Sequence, residues 1–484
     1  MHFTNSYITL GEHFFEKSSP TPVPKASLFL WNDELAEELH LAEKLNTDQQ
    51  TLAEYFSGNR PLPETPAIAL AYAGHQFGNF VPQLGDGRAH LIGETLNDLG
   101  QRLDIQLKGS GQTAFSRNGD GRCAMGPAIR EFIMSEALYA LQIPTARTLA
   151  VVTTGEDVYR EAIQPGAIVT RVASSHIRVG SFEYFAARKN YDALESLCDF
   201  AIERHYPELR DAGPARFELL IENVMNKQVH LVTEWLRVGF IHGVMNTDNF
   251  TISGETIDFG PCAMMGNYDL DAVFSSIDRQ GRYAYGNQPT IAQWNLARFA
   301  ETLIPLLDEN ENIAIDKATQ LISGFPDRFQ KHYLEMMAGK TGLNTTSAKA
   351  VNLISDLRKL LEDKNLDYTI TFNRLTQSIS SEQAAQQCRT ELGEWYDSWR
   401  ETLDQQSQTS SDIQQKMRTF NPVVIPRNHH VEQVIQDSIN TKDNASILEF
   451  MKVLKQPYKM TDKTLQYQDA FDDRAAGYQT FCGT

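Results

Sequence analysis

The chain has 484 residues, 41% of them hydrophobic and 22% charged, enough for a large buried core and, on length, two to three domain-sized units. Its 44 basic residues face 62 acidic ones, a formal net charge of −18, which excludes a general nucleic-acid or anionic-membrane binder. Five scattered cysteines (Cys123, Cys198, Cys262, Cys388 and Cys482) form no CxxC pair, so neither a zinc cluster nor a disulfide framework is indicated.

The residues through Pro24 include Glu12, Glu16 and Lys17 and no sustained apolar run. They do not read as a signal peptide, and no stretch reaches the length of a membrane helix, so a cytoplasmic chain is expected. Residues 85–125 are dense in glycine. Within them Ala89–Glu94 and Arg102–Lys108 flank a turn at Asn97–Gly100, which predicts a hairpin. In its second strand Leu103, Ile105 and Leu107 alternate with Asp104, Gln106 and Lys108, the period of a half-buried strand. Gly126-Pro127 opens a helix that runs through PAIREFIMSEALYALQ and stops before Pro144. Strands are predicted at 148–154 and 166–172, then helices at 182–203, 215–238, 290–307, 315–337 and 347–362. The polar run 404–415 (DQQSQTSSDIQQ) predicts a loop. This order fits an α+β enzyme of two lobes with its site in the cleft. The predicted units are an N-terminal lobe at 1–175, a helical C-terminal lobe at 176–403 and a C-terminal extension at 404–484.

The most informative stretch is HGVMNTDNFTISGETIDFG, residues 242–260. Ser253-Gly254 suits a tight hairpin turn. Pairing backwards from it sets Asn249 opposite Asp258, with Cβ atoms roughly 5 Å apart. An amide oxygen with a carboxylate is hard-oxygen ligation, suited to Mg²⁺ or Mn²⁺. The pattern matches the catalytic loop and Asp-Phe-Gly segment of protein kinases, with one departure. The kinase catalytic Asp lies five residues before the Asn, and here that place is Val244; Asp248 is the only carboxylate in the loop. Asp-Phe-Gly alone is a common tripeptide, and the signal comes from its company.

A kinase-type site also needs a strand lysine held by a helix glutamate. Lys108 ends the alternating strand, and the next helix carries Glu131 and Glu136, between which the helix pattern does not choose. Gly85-Asp-Gly87-Arg88 could form a nest of inward NH groups for phosphate, although His90 fills the last glycine place of a full motif. Gly339-Lys340-Thr341 lacks the leading glycine of a P-loop, since Leu334 stands there, and is rejected. Arg171 and Arg178 could clamp a polyphosphate. His429-His430 shows no further ligand nearby and is not read as a metal site.

Taken together, these stretches resemble the selenoprotein O family, pseudokinase-fold protein adenylyltransferases. The match is carried by YAGHQFGNFVPQLGDGRAHLIGE (72–94), LDIQLKGSGQTAFSRNGDGRCAMGPAIREFIMSEAL (103–138), TRVASSHIRVGSFEYFA (170–186) and HGVMNTDNFTISGETIDFGP (242–261), and continues thinly to NPVVIPRNHHVEQVI (421–435). The resemblance implies a protein-kinase-like fold with extra C-terminal helices, and it selects Glu131 over Glu136 as the partner of Lys108. It implies that Gly85, Gly87, Arg88, Asp120, Gly121, Arg171 and Arg178 contact ATP, that Asn249 and Asp258 hold the metal, and that Asp248 is the base. It further implies a nucleotide flipped relative to kinases, so that the γ-phosphate meets the buried arginines and the α-phosphate meets the acceptor. AMP would pass to Ser, Thr or Tyr hydroxyls of proteins, with Mg²⁺, or Mn²⁺, as cofactor and UTP as an alternative donor. No nucleic-acid or membrane partner is implied, and a monomer is expected. Some eukaryotic members end near a selenocysteine, which makes Cys482 a candidate sulfur equivalent, although a plain tail thiol explains it as well. The competing readings are a γ-phosphoryl kinase, against which Val244 counts, and an inactive nucleotide-binding scaffold, against which the metal ligands count.

Overall fold

Turn residues and short apolar runs divide the first third of the chain into strands. The computed structural model describes residues 3–45, 47–160, 162–345, 347–473 and 476–481; Cys482 lies outside them. The strands are β1 Phe15–Lys17, β2 Ser27–Trp31, β3 Ile68–Leu70, β4 Gly74–Gln76, β5 Asn79–Val81, β6 Ala89–Leu96, β7 Arg102–Lys108, β8 Cys123–Ala124, β9 Arg147–Tyr159 and β10 Ile163–Ala173. One antiparallel sheet runs β1-β3-β6-β7-β10-β9-β2, with β8 on β10, while β4 and β5 form a separate hairpin. Helices α1 Asp33–Glu38, α2 Leu41–Leu45 and α3 Gln49–Ser57 follow β2, and α4 Met125–Ala140 follows β8.

Strand β7 lies between β6 and β10, with Lys108 opposite Ala89 and Val169 and Gln106 opposite Arg171. Its apolar face, Ile105 and Leu107, packs with Leu35, Phe56 and Val152 in one core. Its polar face is buried too, which corrects the half-buried reading. Asp104 binds Arg204 at 2.5 Å and His176 at 3.1 Å, Gln106 binds Asp86 at 3.1 Å, and Lys108 meets carboxylates. Alternation reports two different surroundings, and here the polar one is a set of paired charges rather than water.

The remainder is helical apart from a two-stranded pair, β11 Phe240–Ile241 with β12 Ala263–Met264. The helices are α5 Val179–Ala187, α6 Tyr191–His205, α7 Arg216–Val238, α8 Gln288–Leu307, α9 Glu311–Ser323, α10 Phe325–Thr341, α11 Ala348–Asp363, α12 Tyr368–Gln377, α13 Glu382–Leu392, α14 Glu394–Asp404, α15 Ser410–Phe420, α16 Asn428–Thr441, α17 Ala445–Leu454 and α18 Asp462–Gln466. The helix expected at 182–203 is two, broken at Lys189, whose φ is 54°, and restarted by Asn190, which caps Ala193 N–H at 3.3 Å. The one expected at 315–337 is also two, because Gly324 and Pro326 start a new helix. The second half of the predicted loop at 404–415 belongs to α15: Ile413 and, one turn on, Met417 bury in the core of the C-terminal helices. No helix among the described residues is long and apolar enough to cross a membrane. Lys340 of the rejected P-loop is buried inside α10, its Nζ donating to Arg237 O at 2.8 Å.

Helix α4 is enclosed on two sides. It packs on β9 and β10 with one flank and on α16 and α17 with another. That enclosure explains why its sequence is apolar almost all round.

Candidate active site

Four charged side chains meet between the sheet and the loop that joins β11 to β12. Lys108 Nζ donates to Glu131 Oε2 at 2.7 Å and to Asp258 Oδ1 at 2.9 Å. Arg171 Nε binds Glu131 Oε1, and its Nη2 reaches Asp258 Oδ1 at 3.2 Å. Neighbouring antiparallel strands supply the two cations and α4 supplies Glu131. The other helix glutamate is engaged elsewhere: Glu136 takes a two-pronged bond from Arg147, at 2.7 and 2.6 Å. Burial alone would raise the Glu131 and Asp258 carboxyls, but Lys108 and Arg171 outweigh it and hold both below the usual range, Asp258 well below.

The loop between β11 and β12 does not form the expected hairpin. The Thr251 hydroxyl closes the Ser253-Gly254 turn, accepting from Glu255 N–H at 3.0 Å and donating to Glu255 O at 2.8 Å. Its flanks then pair outward, Thr251 with Arg178 and Thr256 with Thr145. A threonine two residues before a turn competes with the ladder for the same backbone groups, so the pairing that set Asn249 opposite Asp258 is absent. Asn249 instead ends a short 3₁₀ turn, Thr247–Asn249, and its Nδ2 donates to Val244 O at 3.2 Å. Asp258 adopts φ 63°, a left-handed conformation that aspartate tolerates better than most residues. Val244, at the kinase base position, is buried.

Asp248 stands in the same loop with a different electrostatic setting. Burial pushes its carboxyl up to about 6, against the lowering effects of a bond from Gln76 Nε2 at 3.3 Å and of Arg178. Its Oδ1 is buried without a hydrogen-bond partner. Arg178 adjoins it, donating from Nη1 to Asp248 O at 3.3 Å and lying 4.3 Å from the Tyr72 ring. Arg178 Nη2 is a second buried atom without a hydrogen bond, 3.9 Å from Asp86 Oδ1. Two unsatisfied polar atoms on touching residues are the mark of a site built for something else. Beneath Asp248, Thr247 donates to Glu183 Oε2 at 2.6 Å, and His75 Nδ1 lies 2.5 Å from Glu183 Oε1.

A cavity of about 270 Å³ opens beside Asp248, lined by Tyr72, Gln76, Gly85, Gly87, Arg88, Phe115, Asp120, Gly121 and Arg160 among others. The glycines serve close approach rather than a phosphate nest. A Cβ on Gly85 would strike the Phe115 ring at 2.2 Å, and one on Gly121, at φ 69°, would meet the Gly111 backbone at 2.1 Å. The amides of Asp86 and Gly87 donate to Leu70 O and Gly85 O, both at 2.9 Å, so neither is an inward donor as the nest reading required. Asp120 is held by Arg160 at 2.8 and 2.9 Å.

Sequence reasoning passed over Tyr72, Gln76, Asp86, Glu183 and Arg160. Tyr72, Gln76 and Asp86 lie inside the 72–94 run and Glu183 inside the 170–186 run, where a signal is available; nothing local marks Arg160. As for a cation, Asn249 turns its NH₂ group to Val244 and leaves its amide oxygen. By type, an amide oxygen and the carboxylates of Asp258 and Asp248 are hard donors of the kind that suits a divalent ion such as Mg²⁺.

The profile of the family described as "Protein adenylyltransferase SelO" matches residues 1–456. Proteins named "Protein nucleotidyltransferase YdiU" align along the whole chain. The one from Teredinibacter turnerae is 51% identical over 485 residues, covering 100% of both chains. That of Pseudoalteromonas translucida is 49% identical over 484 residues, again 100% of both, and that of Nitrosococcus oceani is 50% identical over 484 residues, covering 100% of this chain and 97% of its own. With the charged cluster and the cavity, these likenesses define a nucleotidyltransferase. The chain belongs to the SelO family of protein adenylyltransferases.

Proposed function

We propose that the protein transfers AMP from ATP to Ser, Thr or Tyr hydroxyls of other proteins, in a two-lobed kinase-like fold, with release of pyrophosphate. The observation that carries this reading is the separation of two carboxylates by environment. Asp258 is held ionised by Lys108 and Arg171, while Asp248, beside the cavity, is poised at about 6. The first suits metal and phosphate, the second proton transfer.

Asp248 takes the proton of the acceptor hydroxyl as its oxygen attacks the α-phosphorus, and the bond to the bridging oxygen of pyrophosphate breaks. Lys108, fixed by Glu131, and the unpartnered Nη2 of Arg178 offset the charge that gathers on the leaving group. Arg171 shares Glu131 and Asp258 with Lys108, so it holds that pair in place and adds its positive charge beside the phosphates. Asn249 and Asp258 would hold Mg²⁺ or Mn²⁺, which when bound neutralises phosphate charge and orients the chain of phosphates. The buried Val244 offers no base for γ-transfer in the kinase pose. Incubation with α-labelled and, separately, γ-labelled ATP tests the reading: protein should take up the α-label alone. Uptake of γ-label would make it a kinase.

A further inference from the structure

The first turn of α16 carries His429 and His430, and both rings turn to one carboxylate of the chain's last segment. His429 Nε2 lies 3.0 Å from Asp469 Oδ2, and His430 Nε2 lies 2.6 Å from Asp469 Oδ1. Neighbouring residues on a helix diverge by about 100°, so two adjacent rings reach one point only when something holds them there. Here aromatic packing does so. Phe471 lies over His429 at 4.5 Å, and Tyr467 meets His430 edge-on at 5.0 Å and is itself backed by Phe450 at 5.0 Å.

From these residues we propose that His429, His430 and Asp469 form a binding site for Zn²⁺, with water as the fourth ligand. One candidate ligand atom from each residue lies within 4.8 Å of the others. Around a tetrahedral zinc with bonds of about 2.0–2.2 Å, ligand atoms stand roughly 3.3–3.6 Å apart. The two His–Asp separations, 3.0 and 2.6 Å, are shorter than that spacing, and the half-exposed Asp469 side chain can withdraw by the few tenths of an ångström that a bound ion needs. Two imidazoles, borderline nitrogen donors, beside one carboxylate suit zinc better than Mg²⁺. Arg427, which precedes the helix, is already paired with Asp367 at 2.8 and 3.1 Å. The alternative is a metal-free cluster in which each ring donates Nε2–H to Asp469. His429 Nδ1 is buried without a partner in either arrangement, so it does not separate them. Bound zinc would tie α16 to the segment that leads to Tyr478 and Thr480.

The test uses the full chain stripped with a chelator and titrated with Zn²⁺, with bound metal counted after equilibrium dialysis. One equivalent should bind. His430→Asn, at a part-buried position, and Asp469→Asn, at a half-exposed one, should each weaken it by at least the roughly 10–100-fold that loss of an outer-shell partner costs elsewhere. Circular dichroism should show both variants folded. Co²⁺ in place of Zn²⁺ should give the ligand-field bands of a four-coordinate site, absent in Asp469→Asn. Cys482→Ser should bind as the parent does. No stoichiometric zinc, parent-like binding by His430→Asn and Asp469→Asn, or loss of binding in Cys482→Ser would each overturn the proposal.

Discussion

Asp248 is the side chain at which stability and proposed chemistry pull in opposite directions. Its charged form is disfavoured by burial, and the single bond from Gln76 at 3.3 Å compensates little. Asp248→Asn keeps the shape and removes the buried charge. The melting temperature should therefore rise while AMP transfer falls by about 10²–10⁴-fold, the usual worth of a general base. Transfer by the parent should climb as pH rises through about 6, and Gln76→Leu should move that limb to higher pH by removing a bond to the ionised form. A kcat/KM profile flat across that window would remove Asp248 from the role. Arg178→Ala should weaken ATP roughly ten- to a hundredfold, one charge-assisted hydrogen bond, with a much smaller effect on AMP, read by calorimetry. Val244→Asp should gain no γ-transfer and, because the side chain is 4% exposed, should lower the melting temperature.

Helix α4 separates its two glutamates by function. Glu131→Gln should reduce transfer more than stability, since it loosens Lys108 and Arg171 but leaves the sheet intact. Glu136→Ala leaves the buried Arg147 with only the longer contact to Glu38, at 3.7 Å, and should cost about 3 kcal/mol, with any loss of activity following from unfolding. A urea titration of both variants beside a transfer assay distinguishes them. The helix itself was legible from Gly126-Pro127 and Pro144. Its working face was not, because a helix buried against a sheet on one flank and α16 on the other has no polar stripe to betray orientation. Strand β7 was legible as a strand for the same reason its surroundings were misread: Asp104, Gln106 and Lys108 look like a wet face, and their partners Arg204, Asp86 and Glu131 lie far off in sequence. The Ser253-Gly254 turn is visible in the sequence, but the competition from the Thr251 hydroxyl shows only in its bonds to Glu255. Residues 404–415 are dominated by glutamines and serines, which mask the Ile413–Met417 spacing that buries α15.

Across the molecule, buried carboxylates set the response to acid. At Asp104, Glu131 and Asp258 burial alone would raise the pKa, but nearby cations, Arg204 with His176 at the first and Lys108 with Arg171 at the others, hold all three below the usual range. Lowered folded values mean that the unfolded chain binds more protons in acid. This stabilisation is fully present above the unfolded range near about 4 and is lost as pH falls through the folded values. Asp248, raised, works the other way: its stabilising uptake of a proton fades as pH rises from about 4 to about 6. The urea midpoint should thus drop steeply below about pH 4; an unchanged midpoint at pH 3 would contradict the pairing. One further contact has a consequence in time. Arg130, next to Glu131 on α4, binds Cys262 O, Glu432 and the Tyr478 hydroxyl, the last two lying 302 and 348 residues further along the chain. A ribosome adding about 5–20 residues per second needs roughly 15–70 s to travel from Arg130 to Tyr478. Throughout that interval Lys108 and Glu131 have already been made, yet the outer flank of the helix between them and solvent is bare. A message cut short before Glu432 would therefore yield a chain with every transfer group present and one flank of the helix that carries Glu131 unbraced.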